Sequence, residues 1–394
     1  MRIVHISTSN GGGAGLASRR INEALNSYGI DSTLIYMKGS MHCKESIERK
    51  IYRSYFKRKI SSILTVLQYK FVQNSSNLIT TYSLGNSSRR ILKKYPADIY
   101  VIHAMYNFIS IKDIKKLAKK SKKVVITLHD QRPFTGGCHY SFNCNNYASS
   151  CRACPQVRTI FRRKIQKQLR NQVSNLNRID NLVVISPSLW LLEKSQESKC
   201  FQNKKSFVIK NPIPSNYLFG EPTKNDEIRI LFVAAQLKNR NKGLATLLNA
   251  LELLTEEFPE RKLNLKLVGS GKININNANV KISQVELNND DDMALIMQNS
   301  DFLVVPSILD NSPNVIGEAL MCGLPVIGSD TGGISELLNM FGMPTFKTNN
   351  AIELADQING KFWEVDRKSI AQKATDIFGY GKFAKTYSEV LKLM

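Results

Sequence analysis

The chain has 394 residues, of which 42% are hydrophobic and 22% are charged, and its formal net charge is +23. This length predicts two domains, and the composition excludes a wholly disordered chain. The charge excess lies in one half, because residues 1–211 contain 37 Lys and Arg against 10 Asp and Glu, whereas residues 212–394 contain 18 against 22. The first half is therefore expected to face an anionic partner.

The sequence gives no sign of export or of a membrane span. It begins MRIVHISTSNGGGAG, which lacks the basic start and long apolar run of a signal peptide, and no apolar run reaches 18 residues. We therefore expect a cytoplasmic protein whose membrane contact is peripheral. Seven cysteines are an odd number for a long chain of this kind, which disfavours a disulfide framework.

Short apolar runs alternate with longer helical stretches, which is typical of parallel sheets covered by helices on both faces. The predicted strands of the first half are 2–6, 32–37, 99–103, 124–128, 182–185 and 207–210, and the predicted helices are 14–28, 87–94, 111–120, 158–175 and 188–194. The predicted strands of the second half are 228–234, 264–268, 280–282, 302–306 and 325–329, with a helix at 242–258. The pattern predicts an α/β protein with two Rossmann-like, doubly wound parallel sheets.

The prolines of Lys-Asn-Pro-Ile-Pro-Ser, between the two patterns, favour a linker. We predict a first domain at 1–210 and a second at 211–375, with a last helix at 376–394 that packs back on the first. Two successive doubly wound domains usually place a ligand cleft between them.

The most informative stretch is VVPSILDNSPNVIGEALMCGLPVIGSDTGGISELL, residues 304–338. A strand ends before a loop that opens a helix near Pro313, so the backbone N–H groups of Asn314 and Val315 are available to a phosphate. Glu318 lies about one turn further on, where a carboxylate could accept from both hydroxyls of a ribose. The alternative for Glu318 is an ordinary carboxylate on an exposed helix.

This block resembles the donor-binding module of the retaining glycosyltransferases of family 4, whose fold, GT-B, has two Rossmann-like domains that face a central cleft. The family pattern has two glutamates eight positions apart; here they correspond to Asp310 and Glu318. The resemblance implies that Asn314 and Val315 bind the donor diphosphate, that Glu318 binds the ribose, and that Asp310 contacts the transferred sugar.

The family also has a basic pair after the first strand of this module. Lys242-Gly243 matches its lysine, which neutralises the leaving diphosphate and lets such enzymes work without a catalytic metal. The family arginine is replaced by Gln236, and the sequence leaves open whether Arg240 substitutes for it.

Two further segments are candidates in the first domain. The glycine loop after the first strand contains Gly12 and Gly13, which the resemblance places near the donor phosphate, although such a loop also serves as a plain tight turn. The strand VVITLHD ends at His129 and Asp130, at the edge of a parallel sheet where ligands usually bind. The resemblance implies that His129 contacts the transferred sugar; a structural histidine is the alternative. Asp130 could orient His129 or act on the acceptor hydroxyl.

Four cysteines follow in CHYSFNCNNYASSCRACPQ: Cys138, Cys144, Cys151 and Cys154. Four thiols so close in sequence predict a structural zinc site, with His139 as a possible substitute ligand. Stress-induced disulfides and free cysteines are the alternatives. A similar HDxxPFTGGC…CPQ segment is found in the capsule and colanic-acid branch of family 4.

Three basic stretches, at 48–71, 115–124 and 158–170, carry most of the charge. The first interleaves basic with apolar and aromatic residues, which is typical of helices that lie on anionic lipid. Nucleic acid is the competing partner, but the sequence contains no recognised nucleic-acid module.

Together these features predict a retaining glycosyltransferase that moves a sugar from a UDP- or GDP-sugar to a lipid-linked oligosaccharide of a surface polysaccharide. It would act at the inner face of the cell membrane. An epimerase or hydrolase on the same fold is one alternative, and a non-catalytic protein that binds nucleic acid or membrane is another.

Overall fold

The computed structural model of the protein describes residues 1–39, 47–51, 72, 79–80, 87–105, 108–223, 226–273, 279–287 and 289–393. The chain divides into two compact units. Unit 1 contains Met1–Lys210 together with Ala384–Met394, and unit 2 contains Asn211–Phe383. Most of the basic stretch at 48–71 and Cys43 lie outside the described residues.

Unit 1 is built on a seven-stranded parallel sheet in the order β3-β2-β1-β4-β5-β6-β7. The strands are β1 (Ile3–Ser9), β2 (Ser32–Lys38), β3 (Glu48–Lys50), β4 (Ile99–Ala104), β5 (Lys123–Thr127), β6 (Leu182–Ser186) and β7 (Lys205–Val208). The central strands are nearly continuous apolar runs because both faces of such a sheet are covered. The order reverses between β1 and β4, which is the topological switch point of the sheet.

The helices of unit 1 are α1 (Gly12–Ser27), α2 (Ser88–Lys94), α3 (Ile111–Ala118), α4 (Arg162–Leu176) and α5 (Leu189–Glu197). Ser110 begins α3 with a capping box, in which its hydroxyl accepts from the Asp113 N–H and the Asp113 carboxylate accepts from the Ser110 N–H. In the same way Ser188 accepts from the Leu191 N–H at the start of α5.

Unit 2 repeats the architecture with six parallel strands in the order β10-β9-β8-β11-β12-β13. The strands are β8 (Ile228–Gln236), β9 (Leu263–Ser270), β10 (Val280–Val285), β11 (Phe302–Val305), β12 (Val326–Ser329) and β13 (Thr345–Phe346). Alternate residues of β11 enter two different apolar clusters, one containing Leu303 and the other Phe302 and Val304. Both faces of this sheet are therefore buried, and its switch point lies between β8 and β11.

The helices after the first strand of unit 2 are α6 (Leu244–Glu257), α7 (Asp290–Gln298), α8 (Asn314–Met321), α9 (Gly332–Asn339), α10 (Ala351–Asn359), α11 (Arg367–Phe378) and α12 (Tyr380–Leu393). The later part of α12 belongs to unit 1, where Tyr387 is fully buried and Lys123 donates to the Leu391 carbonyl over 3.5 Å. None of the helices in the described ranges has the length and apolar run that crossing a bilayer requires.

The predicted α/β class with two parallel Rossmann-like sheets is confirmed. The helix predicted from residue 158 begins at Arg162, because a 3-10 turn occupies Thr159–Phe161. The helix predicted from Lys242 begins at Leu244, because Gly243 has a φ of +73° and a second 3-10 turn precedes it.

Candidate active site

In both units the candidate side chains lie where parallel strands end beside the switch point. In unit 1, β1 leads into the glycine loop, and β4 and β5 lead to Met105 and His129. In unit 2, β8 leads to Lys242 and β11 leads to Asp310. Open α/β sheets bind ligands at this position because the loops on either side of the switch point diverge.

The glycines of the loop after β1 serve different purposes. Gly12 has a φ of +70°, which the start of α1 requires, and a Cβ at Gly12 or Gly13 would meet nothing within 4 Å. A Cβ at Gly15 would lie 2.7 Å from the backbone of Ser9 and Asn10. Packing of α1 on β1 therefore explains Gly15, whereas the space beside Gly12 and Gly13 is open.

Three histidines form a hydrogen-bonded chain across the switch point of unit 1. His5 Nδ1 lies 2.8 Å from His103 Nε2, and His103 Nδ1 lies 2.9 Å from His129 Nε2. The rings stack successively with centroids 5.1 and 5.2 Å apart. His5 and His103 are buried in β1 and β4, so His129 is held at the sheet edge by two buried rings.

Burial keeps these histidines neutral near pH 7. It lowers the pKa of His5 to about 3 and that of His129 to about 4, although the charge of Asp130 partly opposes the shift at His129. Burial and the two neighbouring rings also hold the pKa of His103 well below its usual range. His129 can therefore form hydrogen bonds without carrying a positive charge.

His5, the buried end of the series of three histidines, determines which ring nitrogens carry the protons. Among the described residues His5 Nε2 has no hydrogen-bond partner, and a buried N–H without an acceptor is the less tolerated choice. We therefore infer that His5 and His103 each donate from Nδ1, so that His129 Nε2 accepts and His129 carries its proton on Nδ1.

The Asp130 carboxylate contacts a different histidine. Its Oδ2 lies 2.6 Å from His139 Nδ1, and its Oδ1 accepts from the Arg132 N–H over 2.9 Å. The other ring nitrogen of His139 lies 2.9 Å from Thr80 Oγ1. Asp130 therefore anchors the loop after β5, and His139, with both nitrogens engaged, is not a substitute metal ligand.

In unit 2, two of the predicted site residues contact each other directly. Lys242 Nζ lies 2.6 Å from Asp310 Oδ2, and both side chains are largely shielded, with exposed fractions of 28% and 12%. The second Asp310 oxygen accepts from the Asn311 N–H over 2.9 Å. Because Lys242 follows β8 and Asp310 follows β11, this ion pair spans the switch point of unit 2.

Close backbone packing fixes the positions of these two charges. A Cβ at Gly243 would lie 1.8 Å from the Pro306 carbonyl oxygen, and one at Gly332 would lie 2.0 Å from the Asp310 carbonyl oxygen. Both glycines also have positive φ, +73° and +59°. The turn before α6 and the start of α9 are therefore pressed against the loop that carries Asp310, and only glycine fits at either contact.

The start of α8 presents the remaining donor-binding candidates. Pro313 is the N-cap and makes no side-chain capping bond, so the first N–H groups of the helix are not occupied by a cap side chain. Asn314 and Val315 are half-buried, and the Asn211 amide donates to Asn314 Oδ1 over 2.9 Å. Glu318 follows one turn later and is only 6% exposed, which does not fit an ordinary exposed helix carboxylate.

The four cysteines of the predicted zinc site line one small cavity of about 10 Å³, close to the smallest space that holds a water. None of them forms a disulfide. Burial raises the pKa of the Cys138 and Cys151 thiols, that of Cys151 to about 12. Among the described residues, no group of three or more His, Cys, Asp or Glu side chains has the arrangement to hold a metal ion. The predicted zinc is therefore unsupported.

Two features of the site were not predicted. The first is the role of His5 and His103; histidines within short apolar strands are an unusual signal, but their pairing depends on β1 and β4 being neighbours. The second is the direct ion pair of Lys242 with Asp310, which depends on the two loops meeting in space. Gln236 ends β8 and Arg240 lies in the turn before Lys242, and both side chains are exposed.

The family model described as Glycosyl transferases group 1 matches residues 227–360. An uncharacterized glycosyltransferase of Methanocaldococcus jannaschii is 29% identical over 187 residues, which are 45% of this chain and about half, 48%, of that protein. WcaC of Escherichia coli K12, described as a colanic acid biosynthesis glycosyl transferase, is 21% identical over 89% of this chain and 88% of its own length.

Solved structures with the same fold cover the full chain. Sucrose-phosphate synthase from Thermosynechococcus elongatus aligns with a TM-score of 0.64 and 14% identity, over 100% of this chain and 99% of that one. Anabaena HepE in complex with UDP-glucose aligns with a TM-score of 0.62 and 16% identity, over all of both chains. The matched region contains Lys242, Asp310 and Glu318. Residues 227–360 thus match the group 1 glycosyltransferases, the retaining family 4, and the chain has the fold of those enzymes, GT-B.

Proposed function

We propose that this protein transfers a sugar, with retention of anomeric configuration, from a UDP- or GDP-sugar to a lipid-linked oligosaccharide of a surface polysaccharide. The observation that carries the proposal is the ion pair of Lys242 with Asp310 at the switch point, within the region that matches the family. The similarity to WcaC supports a polysaccharide acceptor, and the UDP-glucose bound to HepE supports a nucleotide-sugar donor.

Unit 2 would bind the donor. The diphosphate would accept hydrogen bonds from the N–H groups of Asn314 and Val315, with Lys242 supplying the positive charge, and Glu318 would accept from the ribose hydroxyls. Members of this family usually act without a catalytic metal. Lys242 fits that chemistry, because a fixed cation stabilises charge that develops on a leaving phosphate.

The proposed transfer is a same-face substitution at the anomeric carbon. The bond from this carbon to the donor phosphate oxygen breaks through an oxocarbenium-like state, and the acceptor hydroxyl oxygen forms the new bond. The electron pair goes to the leaving phosphate, which also takes the hydroxyl proton. His129, neutral near pH 7, would hydrogen-bond the sugar, and Gly12 and Gly13 would leave room for the donor at the end of β1. Asp310 would contact the transferred sugar once the diphosphate has engaged Lys242.

The basic stretches of unit 1 support action at the inner face of an anionic membrane. Lys115 Nζ lies 3.4 Å from Asn175 Oδ1, so α3 and α4, which carry much of the stretches at 115–124 and 158–170, are neighbours. The two basic stretches are therefore close together in unit 1. The interleaved residues 52–71 lie outside the described residues.

Donor-dependent labelling tests this function. Purified protein should transfer radiolabel from a UDP- or GDP-sugar into an organic-extractable product when vesicles contain a bacterial lipid extract. The yield should rise with the fraction of phosphatidylglycerol and fall with salt, because screening weakens the attraction of basic residues to anionic lipid. Release of free sugar without a lipid product would favour a hydrolase, a labelled nucleotide-sugar isomer would favour an epimerase, and neither binding nor turnover of any donor would favour a non-catalytic protein.

We further propose a structural zinc in the cysteine segment. The support is that Cys138, Cys144, Cys151 and Cys154 line the same cavity; binding would require the thiols to converge and lose their protons. Metal analysis of protein produced with sufficient zinc should give about one zinc per chain, and Cys151→Ser combined with Cys154→Ser should lose it. Cys200→Ser, a buried thiol outside that cavity, is the control. Full titration of free thiols with no bound metal would rule the site out.

A further inference from the structure

The turn that carries Lys242 and the loop that carries Asp310 are joined by more than their ion pair. Asn241, the residue before Lys242, makes two hydrogen bonds to that loop. Its side-chain amide donates from Nδ2 to the Leu309 carbonyl over 2.8 Å, and its own carbonyl accepts from the Ile308 N–H over 2.8 Å. We call these two hydrogen bonds the Asn241 clasp. They join the residues that come directly before the two charged side chains.

The turn on one side of the clasp is ordered by its own hydrogen bonds. The side chain of Asn239 accepts from the Asn241 N–H over 3.1 Å, and the Asn239 carbonyl accepts from the Lys242 N–H over 2.9 Å. The backbone of Lys242 is therefore tied to the same short turn that supplies the clasp.

The loop on the other side is held just as closely. The Ile308 carbonyl accepts from Thr331 Oγ1 over 3.2 Å, and the Asp310 carbonyl accepts from the Gly333 N–H over 3.0 Å. The carbonyl between these two, that of Leu309, is the one that the Asn241 amide occupies. Three consecutive carbonyls of this loop are thus bound, and Asn241 supplies the contact from the side of Lys242.

A gain in stability does not explain the Asn241 amide. Its Oδ1 atom is buried and has no hydrogen-bond partner among the residues that the structure describes. A buried polar atom without a partner costs at least as much free energy as a typical hydrogen bond contributes. The amide therefore adds little net stability, although it joins two loops of the candidate active site.

The ion pair cannot hold these loops together throughout the reaction. Under the proposed function the donor diphosphate pairs with Lys242, which separates Lys242 from Asp310. The clasp uses an uncharged amide and backbone groups, so it persists when Lys242 changes its partner. The exchange then moves one side chain on a fixed backbone, and a fixed cation needs no reorganisation when charge develops on the leaving phosphate.

We propose that Asn241 is a positioning residue for sugar transfer. The clasp holds the backbone of Lys242 against the Asp310 loop, so that the ammonium group meets the leaving phosphate at a fixed distance. The inference rests on the proposed transferase function, which it deepens by adding a residue that acts through Lys242. A displacement of about 1 Å at a reacting centre can lower the rate by about 100-fold, so a modest shift of this turn would be measurable.

Asn241→Ala should lower kcat/KM for transfer by about tenfold, mainly through kcat, because Lys242 stabilises the leaving phosphate. Asn241→Leu, which has a similar shape but no donor, should have the same effect. The matched control is Asn264→Ala, which removes an amide that donates to Glu227 Oε2 over 2.9 Å. Asn264 lies near the start of β9, whereas Lys242 follows the end of the parallel strand β8. The control should keep wild-type turnover.

A double-mutant cycle separates positioning of Lys242 from a general structural role. In the Lys242→Ala background, Asn241→Ala should cause no further loss of kcat/KM, because no ammonium group is left to position. A residue that only stabilises the fold would cause the same loss in both backgrounds. Equal losses in the two backgrounds would therefore overturn the proposal, as would wild-type turnover by Asn241→Ala.

Calorimetric titration with UDP and GDP distinguishes failure of this inference from failure of the proposed function. Asn241→Ala should weaken binding of the nucleoside diphosphate by about three- to tenfold when Lys242 is present, and should not weaken it in the Lys242→Ala background. Weakening by the same factor in both backgrounds would overturn the positioning role. Wild-type protein that shows this pattern of binding but transfers no sugar would instead contradict the proposed transferase function.

Discussion

Lys242→Ala should lower kcat/KM for sugar transfer by about 100- to 1000-fold, the usual loss when one group that stabilises developing charge is removed. Glu318→Gln should lower it by about 10- to 100-fold through the loss of charge-assisted hydrogen bonds to the ribose. Steady-state kinetics with the donor varied would measure both effects. Lys242→Ala should mainly lower kcat, because the contact of Lys242 with the phosphate strengthens as the phosphate leaves. Glu318→Gln should mainly raise KM.

Two exposed residues provide matched controls for these substitutions. Lys238→Ala removes a lysine from the same loop as Lys242, and Glu252→Gln neutralises a carboxylate on α6. Both control variants should retain wild-type turnover, and all four should keep the circular dichroism spectrum of the parent. Near-normal turnover in both Lys242→Ala and Glu318→Gln would remove these residues from the active site.

Unit 1 should lose stability steeply as the pH falls below about 6.5, the pKa of an unfolded histidine. The folded pKa values of His5 and His129 are about 3 and about 4, so between these values and 6.5 only the unfolded state binds the protons. Stability is therefore fully present above pH 6.5 and is lost on acidification, by about 1.4 kcal/mol per pH unit for each such histidine. His103, whose pKa is also lowered, adds a third.

Urea unfolding at a series of pH values from 8 to 5 would measure this slope. The sequence has two tryptophans, and Trp363→Phe leaves Trp190 on α5 as a fluorescent reporter of unit 1. In that background His5→Asn keeps a polar nitrogen near the position of Nδ1 but cannot be protonated. Below pH 6.5 the slope of its free energy of unfolding against pH should be smaller by about 1.4 kcal/mol per pH unit. At pH 8 its free energy of unfolding should be similar to that of the parent. Equal slopes in the two proteins would mean that His5 is protonated in the folded state.

Much of the fold was predictable because parallel strands buried on both faces appear as short apolar runs between helical segments. The central strands of both sheets were found on that signal alone. The edge strands β3 and β13 were missed because they have only three and two residues and little apolar signal. The start of α6 was misplaced since the sequence does not reveal that Gly243 adopts a positive φ against Pro306.

The candidate site was predictable only where a local motif carries it. Glu318 and Lys242 stand in segments whose spacing resembles a known family, so they could be named from the sequence. The chain of His5, His103 and His129 brings together residues 98 and 26 positions apart, and no local pattern encodes it.

The ion pair of Lys242 with Asp310 has a consequence for product release. Before the donor binds, Lys242 is already paired with the Asp310 carboxylate 2.6 Å away. The diphosphate of the donor must therefore displace this carboxylate in order to pair with Lys242. After transfer the same carboxylate is available to recapture the lysine and compete with the departing nucleotide. The ion pair thus stabilises the free enzyme relative to the product complex. It weakens binding of the donor, but it also favours release of the nucleotide product after each turnover.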